Sequence, residues 1–326
     1  MKEDIVMNVI VFLFIFLKNA IYGISVFFTG ELTASVDVLD ILALRFLMSF
    51  AAMWLFKTCK VLKIDVGFKD LLGKTKRSKY IKSLVLTALF EPVLYMFFET
   101  LGIANTTSIT VAVILSLSPI TSCICESIIL KEKTTFMKKI FLGIGIIGVL
   151  YIALNTNTTG GKDTVSGIIF IVCAVVCGSL FATFSREASK AFNSMEVTYF
   201  CTILGMIVFN VVNVVRHFYH GDIVDYFKPY FDVDNIIGFV FLAVISTIVA
   251  TSMNNYTLQR VQPSTVAAFG GVSTMVTIVA GVIFNKEVLH DFQMIGLTLI
   301  IIRMIGVSYI DIKGHQHLFD LQAGKD

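Results

Sequence analysis

Glu91 sits near the middle of a long apolar stretch and is followed at once by Pro92, with Tyr95 and Glu99 at four-residue steps. On a helix that spacing aligns Glu91, Tyr95 and Glu99 in one polar stripe. Proline removes a backbone donor and crowds the preceding turn, so a bend is expected at Pro92. A charge held at mid-bilayer costs at least ~2.5–3.5 kcal/mol on insertion scales, so such a side chain turns toward a cavity or a partner. Two carboxylates placed this way can line a watery path, receive the ammonium of a solute, or carry a proton. They can also serve as struts, each paired with a base. Lys18, beside Asn19, lies about as deep in its own stretch as Glu91, and Arg45 about as deep as Glu99. The pairs Lys18–Glu91 and Arg45–Glu99 are therefore expected, as salt bridges or as parts of one site. The guanidinium of Arg45 would also suit a solute carboxylate, because its fork donates two parallel hydrogen bonds.

The second half of the chain offers amides where the first has acids. Asn254 and Asn255, followed by Gln259 and Gln262, stand where an apolar stretch turns polar, and they are read either as lining the inner mouth of a path or as polar packing. Pro263 suits the first turn of the next helix, where its missing donor costs nothing. Gly270 and Gly271 permit a close approach of solute or backbone, and Tyr199 and Phe269 are candidate aromatic walls. Glu126 and Arg303 are further charges within apolar runs; a lipid-facing arginine would be costly, so Arg303 is expected to pair inward or at a protein interface.

Other chemistry finds little support. The six cysteines show no extracellular pairing pattern and read as buried thiols. His217 and His220 fall in a presumed outer loop and His315 and His317 in the tail, all read as surface groups. No cluster has metal-ligand spacing, no catalytic motif accompanies the acidic stripe, and no cofactor is implied. The stretch Thr159–Thr164 lacks the spacing of a phosphate loop. The basic run from Lys57 to Lys82 reads as an orientation signal beside anionic lipid, not as a nucleic-acid site.

The elements that must position these residues are membrane helices. Apolar residues make up 56% of the 326 and charged residues 15%, against ~25% charged in soluble chains. A helix crosses the hydrocarbon in about 20 residues. Ten spans follow: 7–28, 38–56, 83–102, 107–130, 139–156, 165–185, 195–215, 236–256, 263–284 and 292–312. Met1–Asp4 does not resemble a signal peptide, so the first span is expected to remain as a helix. With both termini inside, the inner segments hold 19 of the 26 Lys and Arg and the outer loops four, which sets an N-in, C-in topology in the cytoplasmic membrane.

The segments Thr107–Glu132 and Gln262–Glu287 are alike, each running from a small polar cluster to a glutamate that follows a lysine. Without a gap, Glu132 falls on Glu287 and Glu99 on Asn254. The chain is thus read as an all-α integral membrane protein made of an inverted five-plus-five repeat. One unit spans 1–158, the second 159–314, and a short cytoplasmic tail occupies 315–326. Duplicated multi-helix units of this kind are most often carriers. Glu132 and Glu287 are read as architectural, each holding the N-terminus of an adjacent helix. Glycines at 143, 145, 148, 296 and 306 suit close packing of the fifth and tenth spans, within the fold or in a homodimer.

Three stretches resemble the EamA-type members of the drug/metabolite transporter superfamily: ILALRFLMSF with Arg45 and Phe46, LKEKTTFMKKIFLGIGIIGVLYI, and NKEVLHDFQMIGLTLIIIRMIGVSYI. Their order in two copies carries the resemblance, which covers about residues 7–312. It implies ten helices around a central cavity lined by helices one to four and six to nine, with five and ten peripheral. It also implies movement of small solutes, often outward, by exchange or with proton coupling. Lys18-Asn19-Ala20 stands where the family usually has Trp-Gly, and Arg303 where it has glycine. The reading from the sequence is a secondary transporter for a small polar or zwitterionic, amino-acid-like metabolite, with membrane lipids as its surroundings. A receptor without transport, a channel and an intramembrane enzyme are the alternatives.

Overall fold

The computed structural model describes residues 2–59, 76–131, 135–156, 164–284 and 291–310, apart from 293, 300, 304 and 308. Glu132, Glu287 and the tail 315–326, with His315 and His317, lie outside the described residues. Among the described residues, eight helices are long and apolar enough to cross a membrane, and shorter apolar helices occupy Lys139–Gly148 and Met294–Val307. The expected fifth span, 139–156, lies within the helix Phe136–Thr156, and the expected tenth overlaps Met294–Val307. Large apolar side chains such as Phe16, Ile169, Val211 and Ile283 point outward, as lipid in place of water requires.

The helices begin where side chains can satisfy their first backbone donors. α1 covers Lys2–Leu32 and α2 Val38–Thr58, where Asp37 caps α2 by accepting from the Leu39 amide at 2.9 Å. The third span is α3 (Ile81–Ala88) and α4 (Tyr95–Ala104), separated by an irregular stretch, Leu89–Leu94. Within that stretch Glu91 is extended (φ −140°, ψ 121°), and a cis peptide joins it to Pro92. The fourth span breaks at Ser116–Leu117 into α5 (Ser108–Leu115) and α6 (Ser118–Cys125). α7 is Phe136–Thr156, α8 Val165–Ala188 and α9 Ser194–His220; α9 opens on a capping box between Asn193 and Glu196. The eighth span joins α10 (Val233–Val240) to α11 (Thr251–Leu258) through ten residues of widened π-type turns, Phe241–Ala250. The ninth breaks at Phe269–Gly270 between α12 (Pro263–Ala268) and α13 (Gly271–Phe284).

The seventh span therefore runs five residues past its expected end at 215. His217, expected in a surface loop, is buried in the last turn of α9. The correction has a physical cause: Gly221, in the left-handed conformation at φ 76°, stops the helix, and the polar residues before it are still helical.

Two close approaches lock the irregular segments in place. A Cβ on Gly205 of α9 would lie 2.7 Å from the Pro92 ring and 2.8 Å from the Phe46 ring, so only glycine lets α9 meet the bend of the third span. A Cβ on Gly145 of α7 would lie 2.3 Å from Cδ of Arg303. The arginine passes over Gly145 and donates to the carbonyl of Ser116, at the break of the fourth span. Arg303 thus pairs inward, with a helix end left negative by its free carbonyls. Its Nε and Nη2 make no hydrogen bond with the described residues. Gly306 in turn admits the ring of Phe141, so Gly145 and Gly306 serve packing inside the chain, whereas Gly143 faces open space.

Glu126 does what was expected of Glu132 and Glu287. Its carboxylate accepts from the Ser264 amide at 2.5 Å, in the first turn of α12 where Pro263 needs no donor. Removing a buried charged acceptor from a helix N-terminus costs on the order of 1–3 kcal/mol. Gly145→Val and Glu126→Ala are each expected to lower the melting temperature of the detergent-purified protein by several degrees. Gly145→Val combined with Arg303→Ala should recover part of the loss, because the clash is then removed.

Candidate functional site

The irregular segments surround a central cavity of about 150 Å³. Its wall draws on the first four spans, the sixth, the eighth and the ninth, and α9 supplies none of the lining residues. The seventh helix, expected in the wall, instead backs the third span through Gly205.

Each charge in the cavity has a distinct local arrangement. Lys18, buried on α1, donates from Nζ to Oδ1 of Asn254 at 2.7 Å. The same amine lies 5.6 Å from the centre of the Tyr22 ring, on its face. Asn19 beside it donates back to the Ile15 carbonyl at 2.7 Å, a local bond within α1. Arg45, on α2, donates from Nε to Thr247 Oγ1 at 2.8 Å and from Nη2 to Ser246 Oγ at 3.2 Å. The Thr247 hydroxyl in turn donates to the Leu242 carbonyl at 2.8 Å, five residues back, where the widened turns leave that oxygen reachable. Both cations are therefore held by the eighth span.

The acids are held differently. Tyr95 donates to Glu99 Oε1 at 2.6 Å, so the helical spacing joins these two into one unit. Glu91 also lines the cavity, and its carboxylate has no hydrogen bond or ion pair with the described residues. The extended backbone at Glu91 carries this side chain into the cavity instead of along the regular stripe. The expected salt bridges Lys18–Glu91 and Arg45–Glu99 are not formed: Lys18 is taken by Asn254, and Arg45 by the hydroxyls of Ser246 and Thr247. Neutral amide and hydroxyl acceptors leave the charges of both cations uncancelled at contact distance, so all four charged groups face one small space.

The remaining candidates divide. Gly270, at the break of the ninth span, lines the cavity. Asn255 does not; it accepts from Ser185 at 2.8 Å and donates to Thr198 at 3.0 Å, tying α11 to α8 and α9. Tyr199 is buried against Met53 and Ile248, with the Lys57 ammonium 4.7 Å from its ring centre. Phe269 packs edge-on against Phe12, with ring centres 5.8 Å apart. Pro92 and Pro263 play their backbone roles, and Arg303 stands behind the cavity wall. Among the described residues, no three or more His, Cys, Asp or Glu converge as metal ligands.

Sequence reasoning missed Tyr22, Ser246 and Thr247. Ser246 and Thr247 look like ordinary small residues in an apolar run. Their signal was the gap-free register of the duplicated halves, which sets Ser246 opposite Glu91.

A model of the EamA-like transporter family matches the chain twice, over residues 9–154 and 165–309. This chain belongs to the EamA-like transporter family. The match spans nearly the whole sequence, and the family is one of membrane transporters and not of enzymes. The EamA-like chain is 28% identical over 290 residues to an uncharacterized transporter, YcxC, of Bacillus subtilis, covering 89% of this chain and 90% of the relative. It is 25% identical over 235 residues to an uncharacterized transporter of Archaeoglobus fulgidus, covering 71% of this chain and 79% of the relative. A solved structure superposes with a TM-score of 0.60 at 13% identity, over 92% of this chain and 97% of the other, a likeness of fold.

The Lys18–Asn254 bond joins the first and eighth spans and is open to a direct test. Asn254→Leu strands a buried ammonium, and such a loss is commonly worse than losing both partners. The single variant is expected to lower thermal stability more than the pair Lys18→Met, Asn254→Leu. Strictly additive losses in the double-mutant cycle would show that the two residues are not coupled.

Proposed function

We propose that this chain is a secondary transporter that moves a small polar or zwitterionic, amino-acid-like metabolite across the cytoplasmic membrane by alternating access. The observation that carries the reading is the free carboxylate of Glu91 in a cavity that also presents Lys18, Arg45 and Glu99. An ammonium group satisfies Glu91, and a carboxylate of the same solute satisfies the donors of Lys18 and Arg45 left over from Asn254, Ser246 and Thr247. A cavity of about 150 Å³ suits a small solute.

Glu91 also supplies a site for a proton, so coupling to the proton gradient, or exchange of one solute for another, belongs to the same reading. Outward movement is the favoured direction. The proposed architecture is ten spans in two inverted units, 1–158 and 159–314, with both termini cytoplasmic. The distribution of Lys and Arg and the double family match support it. Its moving parts are the breaks at Glu91, Ser116, Phe241–Ala250 and Phe269, which let half-helices tilt about a fixed site. A homodimer would use the outward faces of the fifth and tenth spans, where Ile147, Ile302 and Ile305 are exposed.

Purified protein in liposomes, screened with labelled amino acids and small organic cations, should give saturable flux. Glu91→Gln keeps the size of the side chain and removes its charge. At equal protein it is expected to reduce flux at least tenfold or to abolish its pH response. Wild-type flux from Glu91→Gln at every pH would remove Glu91 from the mechanism. Folded wild-type protein without saturable flux across the screen would count against a carrier.

A further inference from the structure

The far end of α9 holds a second polar cluster, separate from the central cavity. Asp40, in the first turn of α2, accepts at Oδ1 from Asn213 Nδ2 at 2.8 Å and at Oδ2 from Arg216 Nη2 at 2.8 Å. Arg216 also reaches Asp37 through Nη1 at 2.5 Å. His217 lies between two carboxylates: Nε2 is 2.8 Å from Asp40 Oδ1, and Nδ1 is 2.9 Å from Asp222 Oδ1. Asp222 follows the helix-ending Gly221, and its amide donates to the His217 carbonyl at 3.1 Å. The ring of Tyr226 meets the imidazole edge-on at 5.4 Å. Next to this cluster a wide recess is lined also by His220, Asp225, Lys228, Asp232 and Asn235.

The geometry constrains the proton count. Ionised carboxylates only accept hydrogen bonds. An imidazole donates from both nitrogens only when it carries two protons. Neutral His217 can satisfy one aspartate, and its bare nitrogen then faces the oxygen of the other. Asp40 has Asn213 and Arg216 as further donors, whereas the side chain of Asp222 has His217 as its one partner among the described residues. Asp222 is also the more exposed of the two, 48% against 12% for Asp40, so water can take the place of His217 at Asp222 but not at the buried Asp40, and the contact surrendered on deprotonation is the one to Asp222.

We propose that His217 is a proton-operated latch: as imidazolium it ties the segment after Gly221 to the start of α2, and as neutral imidazole it releases that segment. The charged neighbours set its balance. Asp37, Asp40, Asp222, Asp225 and Asp232 favour the closed cation, while Arg216, Lys228 and a protonated His220 oppose it. Arg216 Nη2 lies 3.3 Å from His217 Nε2, so it is the nearest opposing charge. On the orientation proposed above, this mouth faces outward, and the latch senses the pH outside the cell. The chemistry of the latch itself does not depend on that orientation.

Hydrogen exchange of the full chain in lipid nanodiscs, read across residues 221–232 from pH 5 to pH 9 and corrected for the intrinsic pH dependence of exchange, tests this directly. Protection should be high at low pH and fall severalfold in one titration step. His217→Gln should leave the segment unprotected at every pH. Asp222→Asn places an amide opposite Nδ1, which can donate or accept, so the segment should stay protected with no step. Because the two variants predict opposite constant states, a general loss of fold cannot imitate the result. A flat wild-type profile, or a step that survives unchanged in His217→Gln, would overturn the latch. Neither readout requires a transported solute, so failure here is distinguishable from failure of the transport reading.

Discussion

Lipid offers backbone groups no hydrogen bonds, and that constraint organises the whole molecule. A span can leave regular helical geometry only where protein or an internal cavity satisfies what the helix gives up. The chain does so in the third, fourth, eighth and ninth spans, and all four contribute to the cavity wall. The freed groups are accounted for by specific side chains: Thr247 covers the Leu242 carbonyl, Arg303 the Ser116 carbonyl, and Glu126 the Ser264 amide. The site and the irregular backbone are consequences of the same requirement.

The same economy governs the charges. Lys18 and Arg45 are anchored to the eighth span by neutral partners, which fix their positions without cancelling them. A fully formed ion pair would have been a strut. Neutral anchoring keeps the field of each cation available to a solute, in surroundings where electrostatic interactions are stronger than in water. Tyr95 does the corresponding work for Glu99. Glu91 is the exception, and for that reason it bears most weight in the transport reading.

Much of this was legible in the amino-acid sequence, because apolar runs and rare charges are strong signals in a membrane chain. The pairing of Tyr95 with Glu99, the basic Lys18 and Arg45, and the bend at Pro92 could all be read from spacing, whereas the extended backbone at Glu91 takes that residue out of the expected helical stripe. The partners of Lys18 and Arg45 could not be read this way, since pairing depends on which helices lie side by side. Matching Arg45 with Glu99 by depth ignored the lateral order that brings Thr247 closer. His217 was missed for another reason: a polar run was taken to end at 215 a helix that continues five residues further, to His220, before Gly221 ends it.

The widened turns between Phe241 and Ala250 also determine register. A turn closed five residues back holds one residue more than a regular one, and each such excess rotates everything beyond it by about 100°. Asn254 and Asn255 are neighbours in sequence, yet one meets Lys18 and the other meets Ser185 and Thr198. Which amide faces the cavity is thus decided upstream, by how many residues are wound into that stretch. Losing a single residue there would let the helix tighten into an ordinary spiral with its apolar character intact, while turning Asn254 away from the ammonium it anchors. In this segment the length of the chain is itself part of the specificity, independent of which side chains it carries.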